Sequence, residues 1–373
     1  MADDLIFQFG TSRFLQAHID LFAEEARLEG QTVPRIVVVQ SSGSNARRGR
    51  VVALAAPEGY PVMIRGIEHG QRVSRQMQVH SISNGFCLPE DWDALCHRFV
   101  LNAGWVVSNT GDAGYMIAPG ETVDLMGAVP AASFPGRLLQ LLHMRYVAGR
   151  AAPVIMPCEL LSRNGTTLRN IVHDIAMRSK ANDSFLIWFD KVIFTDSLVD
   201  RIVSEALEPA GAIAEPYALW AIENTPGLTL PFTHPCIKLV ANLETTERLK
   251  LHILNLGHTV LAEIWRSGHR PTGETVREIL TDPVIYKKLE QIYQTEILPG
   301  FATHGLHAEA ELYIRVTMGR FMNPFLDHHL ADIADHHAVK VSRRIGAFLD
   351  WAKTSAPNLA AITSGADMNR IDL

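Results

Sequence analysis

The order of hydrophobic patterns along the chain is the feature that most restricts its fold. Before residue 236, apolar runs of strand length alternate with helical periodicity in segments such as 138–147 and 168–177. The strand-length runs cover residues 36–39, 106–107, 154–156, 192–194 and 219–222. This alternation predicts an α/β fold in which helices cover both faces of a parallel sheet.

The pattern changes near residue 236. Beyond that point strand-like runs nearly vanish and helical periodicity dominates, with proline or glycine breaks. The segment 216–235 is rich in proline and threonine and is interpreted as a connection. We therefore predict a doubly wound α/β domain over residues 1–235 and a mainly α-helical domain over residues 236–373.

Composition and charge exclude several protein classes. The chain has 373 residues, of which 47% are hydrophobic and 20% charged, as in globular proteins. Its net charge is 34 − 40 = −6, so it has no basic footprint for nucleic acid. No apolar run reaches the length of a membrane span, and the first residues lack a basic, then apolar, signal pattern. These features favour a cytoplasmic protein.

No metal site is expected. The cysteines are too few and too widely spaced for the ligand set of a zinc enzyme, and we expect reduced thiols at Cys87, Cys96, Cys158 and Cys236. His329, Asp332 and His336 recur at near-helical intervals and could share a face. Without a further ligand, a hydrated helix surface explains this group better than a metal.

The chain opens with a candidate nucleotide-binding turn. The apolar run 5–9 leads into Gly10 and then into a helical pattern that includes Phe14, which is the start of a βαβ unit. Such a turn lets the backbone approach a pyrophosphate at the following helix N-terminus. Only Gly10 fits the glycine fingerprint, with Ser12 at the second glycine position, so an ordinary α/β turn remains an alternative.

Three polar residues interrupt an apolar helical pattern in the second half. Lys250, Asn255 and His258 follow at intervals of five and three among leucines. At about 100° per residue, Asn255 lies about 140° from Lys250 with His258 between them, so all three can line one polar sector. Polar groups in such a place have a desolvation cost unless they are paired. The alternative is a lysine extending to solvent beside a hydrogen-bonded core histidine.

Six segments, in this order, give the chain a resemblance to a known family. It resembles the polyol-specific long-chain dehydrogenases, the mannitol dehydrogenase family, which includes tagaturonate and fructuronate reductases and mannitol-1-phosphate dehydrogenase. The segments are residues 9–14, 107–115, 157–165, 198–202, 250–258 and 320–325. The spacing of lysine, asparagine and histidine is the most specific part.

The resemblance implies a Rossmann-like first domain, a catalytic second domain and a metal-independent oxidoreductase. Hydride would pass between a nicotinamide cofactor and a secondary alcohol of an open-chain polyol or sugar acid. Lys250 would be the general base, Asn255 would stabilise the developing alkoxide, and His258 and Asp200 would orient substrate hydroxyls. Asp200 has an alternative, structural role as a partner of Arg201 or Lys250.

The state of Lys250 matters for this role. We place it in the first turns of a helix that begins near Thr245 or Thr246. Burial and the positive end of the helix dipole there both disfavour the ammonium form, which favours a neutral amine at the working pH.

The resemblance also assigns cofactor contacts. They are Gly10, Thr11, Ser12, Arg13, Phe14, Ser108, Asn109 and Thr110. Most members of the family use NAD. Here the second strand ends without the acid that binds the adenosine ribose, and Arg47 and Arg48 follow it, so NADP is an open alternative.

Substrate recognition is assigned to Glu159 and Lys340. Leu160 follows Glu159 where some relatives have an asparagine, and Asp332 replaces an expected arginine, which argues against a phosphorylated substrate. The segment 157–165 is most similar to that of the hexuronate reductases. We expect a monomer or small homo-oligomer with a small-molecule substrate. A nucleotide-binding sensor of the same fold without catalysis is the alternative function.

Overall fold

The computed structural model describes residues 4–40, 45–68, 70–111 and 114–365, but not the side chains of residues 45–47. The contacts between residues divide the chain into two compact units. The first unit is Met1–Ile64 with Arg75–Leu243, and the second is Arg65–Ser74 with Glu244–Leu373. Within the described residues, no helix is long and apolar enough to cross a membrane.

The strands form three sheets. They are β1 (Leu5–Phe9), β2 (Ile36–Gln40), β3 (Tyr60–Glu68), β4 (Gln71–Val79), β5 (Ile82–Cys87), β6 (Ala103–Ser108), β7 (Val154–Pro157), β8 (Ser197–Asp200), β9 (Val203–Ala206), β10 (Ala212–Ala214), β11 (Leu219–Glu223) and β12 (Ile237–Val240). The main sheet has the order β5-β2-β1-β6-β7 and all its pairs are parallel. The smaller sheets have the orders β4-β3-β10-β9 and β12-β11-β8.

The main sheet is covered on both faces, as its uninterrupted apolar strands predict. Along β1, Ile6 belongs to one buried cluster while Phe7 and Phe9 belong to the other. The first face packs against α1 (Arg13–Gln16), α2 (Ile19–Leu28) and α3 (Asn45–Leu54). The second packs against α4 (Trp92–Asn102), α5 (Phe134–Val147), α6 (Asn164–Arg178) and α7 (Asp183–Phe189). The predicted doubly wound, Rossmann-like sheet is confirmed.

Two local predictions in this unit are wrong. Residues 192–194 do not form a strand of the main sheet; only Phe194 makes an isolated bridge, to Ile155. The predicted strand-length run 219–222 does form a strand, β11, so the segment 216–235 around it is not a simple connection, and Trp220 and Phe232 are core residues of the first unit. Proline and threonine indicated a loop, but the buried aromatic residues decided the structure.

The second unit is helical from Glu244 onward, as predicted, whereas its residues 65–68 and 71–74 belong to β3 and β4. Its helices are α8 (Glu244–Leu249), α9 (Leu256–Ser267), α10 (Val276–Ile279), α11 (Pro283–Ile292), α12 (Leu298–Ala302), α13 (His307–Phe321), α14 (Leu330–Ile333), α15 (His337–Lys340), α16 (Ala347–Ala352) and α17 (Pro357–Thr363). Three π-helical segments, Lys250–Asn255, Tyr293–Ile297 and Val341–Gly346, each link two of these helices without a break.

The histidine-rich segment differs from its prediction as one hydrated helix. His329 precedes α14, and His336 precedes α15 with a φ of 50°, so no continuous helical face joins them. His329, Asp332 and His336 are exposed, but His337 is buried and pairs with Glu263 at 2.6 Å. Among the described residues, no group of three or more metal-ligating side chains is placed to hold an ion.

A buried carboxyl lies beneath the main sheet. Asp20 of α2 accepts a hydrogen bond from the Tyr60 hydroxyl at 2.8 Å and a long one from Gln8 at 3.5 Å. Burial raises the pKa of Asp20 to about 7, although both hydrogen bonds oppose the shift. The folded protein therefore holds the neutral acid more firmly than the unfolded chain does.

We predict that this carboxyl makes stability fall between pH 5 and pH 8. Its folded pKa is raised, so its contribution is full below the unfolded pKa of about 4 and is lost as the pH rises through about 7. Asp20→Asn removes this titration. The free energy of unfolding of Asp20→Asn relative to wild type should rise over that range, by on the order of a few kcal/mol.

Urea unfolding at pH 5 and pH 8 measures this difference. Asp93→Asn, a change at an exposed position of α4, is the control and should show the same difference at both pH values. A pH-independent difference for Asp20→Asn would contradict the prediction.

Candidate active site

The predicted site residues fall into two groups. The first unit contains Gly10 to Phe14, Ser108 to Thr110, Glu159 and Asp200. The second contains Lys250, Asn255, His258 and Lys340.

Gly10 follows β1 at the point where the strand order reverses. From β1 the chain passes to β2 and β5 on one side, and then to β6 and β7 on the other. Gly10 has a φ of +128°, and a Cβ on it would lie 2.6 Å from the Asn109 carbonyl oxygen. Only glycine fits here, and this edge, outside the carboxyl ends of the strands, is where α/β proteins bind ligands.

Asn109 joins the ends of three strands through its side chain. Its Oδ1 accepts from the Ser12 hydroxyl at 3.1 Å, and its Nδ2 donates to the Cys158 carbonyl at 2.8 Å. Ser12 also accepts from the Leu15 amide and so caps α1. Because α1 has only four residues before the break at Ala17, the expected helix dipole is short.

The rest of the opening segment is held locally. The Thr11 carbonyl accepts from the buried Gln16 side chain at 3.2 Å, while exposed Arg13 reaches the Ser204 carbonyl at 3.5 Å. Phe14 stacks on His18 with ring centroids 4.7 Å apart. The backbone of the turn is therefore fixed, while the Arg13 side chain is exposed.

Glu159 is the centre of a hydrogen-bond cluster at the end of β7. Its carboxylate accepts from the Ser108 hydroxyl at 2.9 Å, the Thr110 amide at 3.0 Å, the Thr110 hydroxyl at 2.9 Å and the Tyr115 hydroxyl at 3.1 Å. Burial, then the Glu159 charge, raises the pKa of Tyr115, so this phenol remains a donor. Four donors use the acceptor capacity of the carboxylate. Glu159 thus holds the loop after β6 in place. Ser108, the last residue of β6, is buried.

Asp200 ends β8 and is buried. The neighbouring Arg201 donates to the backbone carbonyls of Ala17 at 2.6 Å and Glu215 at 2.9 Å. The Arg201 guanidinium therefore joins the end of α1 to the residue that follows β10, which is a structural role.

In the second unit, Lys250 and Asn255 are the first and last residues of a π-helical segment rather than parts of a regular α-helix. Both are half-buried. A π turn has i→i+5 hydrogen bonds, so it brings residues five apart closer to one side than the α-helical spacing does. Lys250 lies beyond the first turn of α8, which carries Glu244 and Glu247, so the expected influence of the positive helix end is weak.

His258 lies on the following turn and is buried. Its ring packs against Phe321 with centroids 4.5 Å apart and crosses the His328 ring at 4.8 Å. Burial, followed by repulsion from His328, Arg320 and Arg344, lowers the pKa of His258 well below its usual value. His258 is therefore neutral, with one nitrogen that donates and one that accepts.

Lys340 is at the end of α15 and donates to the Ile333 carbonyl at the end of α14, at 2.9 Å. An ammonium group has two further donors. The interaction is local and leaves Lys340 able to contact an anion.

Sequence reasoning missed Tyr115, Tyr293, Arg344 and Gly257. Tyr115 supports Glu159, and the other three support the π segment, as described below. The sequence contains a signal only for Gly257. Glycine inside a helix lowers stability by about 1 kcal/mol relative to alanine, so its presence indicates that close packing requires it. The tyrosines and Arg344 resemble ordinary helix and loop residues in the sequence.

Two family models match most of the chain. The mannitol dehydrogenase Rossmann domain matches residues 4–230, and the mannitol dehydrogenase C-terminal domain matches residues 242–363. The altronate oxidoreductase of Bacillus subtilis is 29% identical over 356 residues, which cover 88% of this chain and 71% of that protein. The altronate oxidoreductase of Halalkalibacterium halodurans is 30% identical over 91% of this chain and 69% of its own length.

Solved structures share the fold. A D-sorbitol dehydrogenase in substrate-free form has a TM-score of 0.75 and 19% identity, with 98% of this chain and 78% of that chain covered. Pseudomonas fluorescens mannitol 2-dehydrogenase, in a ternary complex with NAD and D-mannitol, has a TM-score of 0.67 and 17% identity, with 97% and 78% covered.

We predict that Glu159→Gln destabilises the protein. The amide replaces an acceptor oxygen by a donor that faces hydroxyl and amide donors, so at least one buried group loses its partner, at about 1–3 kcal/mol. Urea unfolding measures the loss. Glu205→Gln, at an exposed position of β9, is the control and should be neutral. Equal stability of Glu159→Gln and wild type would show that the cluster does not support the loop.

Proposed function

The chain belongs to the mannitol dehydrogenase family, and we propose that it is an NAD-dependent oxidoreductase acting on a secondary alcohol of an open-chain sugar acid or polyol. The observation that carries the proposal is the π segment with a lysine and an asparagine at its two ends, followed one turn later by a buried neutral histidine. π-helical turns are rare and concentrate at functional sites.

The first unit fits a dinucleotide. The turn at Gly10 lies at the strand-order switch, outside the carboxyl ends of the strands, which is where dinucleotides bind in such sheets. When bound, the nicotinamide would accept or return a hydride at its C4. Arg48, which could have favoured a 2′-phosphate, forms an ion pair with Glu90 at 2.9 Å, while the side chain of Arg47 lies outside the described residues. We therefore favour NAD over NADP.

The second unit supplies the acid-base chemistry. In alcohol oxidation, the Lys250 amine takes the hydroxyl proton while the carbinol carbon loses its hydride, and the product is a ketone. The Asn255 amide donates to the oxygen as its negative charge develops. His258 orients a substrate hydroxyl, while the role that the resemblance implies for Asp200, in the first unit, stays a prediction. This mechanism requires no metal ion.

Charges near His258 favour a sugar acid over a neutral polyol. Arg320 and Arg344 act electrostatically on His258, and Lys340 acts on His328, whose ring contacts that of His258. Asp332 provides an opposing charge near His328. Cations close to these two histidines suit an anionic substrate. The relatives named altronate oxidoreductases are consistent with this choice, and Lys340 is our candidate for the substrate carboxylate.

A substrate panel tests the proposal. Altronate and other six-carbon sugar acids with NAD should give a rising absorbance at 340 nm, faster than mannitol or arabinitol and faster than with NADP. Tight dinucleotide binding without oxidation or reduction of any panel member would favour a sensor. Faster turnover of neutral polyols would contradict the assignment of Lys340.

We predict that Lys250→Met abolishes most turnover. General-base catalysis contributes about 10²-fold to 10⁴-fold, so kcat should fall by that factor while the Kd for NAD is unchanged, because the dinucleotide turn lies in the first unit. Stopped-flow absorbance and fluorescence titration measure the two quantities. Lys287→Met, at an exposed position of α11, is the control. A Lys250→Met enzyme with near-normal kcat would remove this residue from the mechanism.

A further inference from the structure

The helix that carries Lys250 and Asn255 has side chains bonded to its own backbone carbonyls. The Ile253 carbonyl accepts from the Tyr293 hydroxyl at 2.9 Å, and the Asn255 carbonyl accepts from Arg344 at 3.1 Å. The Thr259 hydroxyl also donates to the Asn255 carbonyl at 2.9 Å. The Tyr293 and Arg344 donors lie on other helices, so their hydrogen bonds fix where these carbonyls lie in space. The Thr259 bond, to the carbonyl four residues earlier, is of a kind that regular helices also make.

Arg344 joins two helices through several contacts. Its guanidinium also donates to the Thr259 hydroxyl at 3.0 Å. Its carbonyl accepts from Nδ1 of His252 at 3.3 Å, while Nε2 of His252 accepts from Arg248 at 3.4 Å. Burial lowers the pKa of His252 to about 4, so this neutral ring can make both contacts. The π segment thus accepts a hydrogen bond from the Arg344 side chain, through the Asn255 carbonyl, and donates one to the Arg344 carbonyl, through His252.

Gly257 provides the space for Tyr293. A Cβ at Gly257 would lie 2.0 Å from the Tyr293 hydroxyl and 3.1 Å from a ring carbon of Phe321. Tyr293 is completely buried, and burial raises its pKa, so its hydroxyl stays a donor. A side chain at position 257 would displace the Tyr293 hydroxyl that donates to the Ile253 carbonyl, which explains the glycine in this helix.

These donors come from the other two π segments. Tyr293 begins Tyr293–Ile297 and Arg344 lies within Val341–Gly346, and both segments pack against Lys250–Asn255. Each donor therefore lies in a π-helical segment of its own helix. Three wide turns meeting at one place indicate a constraint on geometry rather than three separate defects.

We propose that Tyr293 and Arg344 are positioning residues, which hold the π turn open and thereby keep Lys250 and Asn255 on one side of the helix. In a regular α-helix the two residues would be about 140° apart. The inference rests on the proposed function, because the alignment matters only if both side chains act on one substrate. Neither positioning residue needs to touch the reacting atoms.

Two small changes test the proposal without altering the proposed catalytic groups. Tyr293→Phe removes one hydroxyl, and Gly257→Ala displaces the same hydroxyl by contact. Misplacement of about 1 Å can reduce a rate about 10²-fold, so each variant should lower kcat by about 10-fold to 10²-fold with an unchanged Kd for NAD. The double variant should be no slower than either single variant, since both remove the same hydrogen bond.

Arg344→Lys and Tyr286→Phe complete the series. Lysine keeps a donor at position 344, so Arg344→Lys should retain more kcat than Arg344→Ala. Tyr286→Phe removes a tyrosine hydroxyl on α11 and should match wild type. Wild-type kcat in both Tyr293→Phe and Gly257→Ala, or additive losses in the double variant, would overturn the proposal.

A crystal structure of Tyr293→Phe separates this inference from the proposed function. A return of Lys250–Asn255 to α-helical pairing supports the holding role even if the substrate panel gives no turnover. A retained π turn in that variant shows that Tyr293 does not hold it, whatever the enzyme's activity.

Discussion

The parallel pairing of β1 with β2 on one side and β6 on the other is the constraint on which the first unit depends. It places the turn at Gly10 beside Asn109, where no Cβ fits. It also brings the ends of β6 and β7 together, so that Glu159 can accept four hydrogen bonds from Ser108 at the end of β6 and from the loop after it. Because each of these contacts joins residues far apart in sequence, this edge forms only when the whole sheet is formed.

In the second unit, the geometry of Lys250 and Asn255 depends on a π turn. A π turn can pair its own carbonyls with amides five residues later, so contacts with other helices must favour it over the α-helical pairing. Tyr293 and Arg344 donate to carbonyls of this segment, and Gly257 leaves space for the Tyr293 hydroxyl. The chemistry proposed for Lys250 and Asn255 thus depends on Tyr293 and Arg344, which lie 38 to 94 positions away in the sequence.

Sequence reasoning performed well where a pattern reports local burial. The alternating strands and helices and the helical second half were predicted correctly, because apolar periodicity reflects which faces are buried. It failed at residues 192–194, which form no strand of the main sheet. In the segment 216–235 it found the strand run 219–222 but missed that the residues around it belong to the core. It also assumed a regular helix through Lys250, because a π turn has no sequence period of its own. The hydrogen bonds that the Glu159 carboxylate accepts could not be predicted either, since their donors lie in other segments, and its expected role in substrate recognition stays a prediction.

The sequence by itself determined the fold class, the family and the candidate amine, amide and imidazole, since these follow from local periodicity and from side-chain chemistry at fixed spacing. Tertiary structure alone decided how those groups are presented. The state of His258 follows from burial and from cations on other helices, and the geometry between Lys250 and Asn255 follows from donors that other helices supply. Hydrogen bonds and desolvation depend on what surrounds a group in space, and that information is not contained in any single segment of the chain.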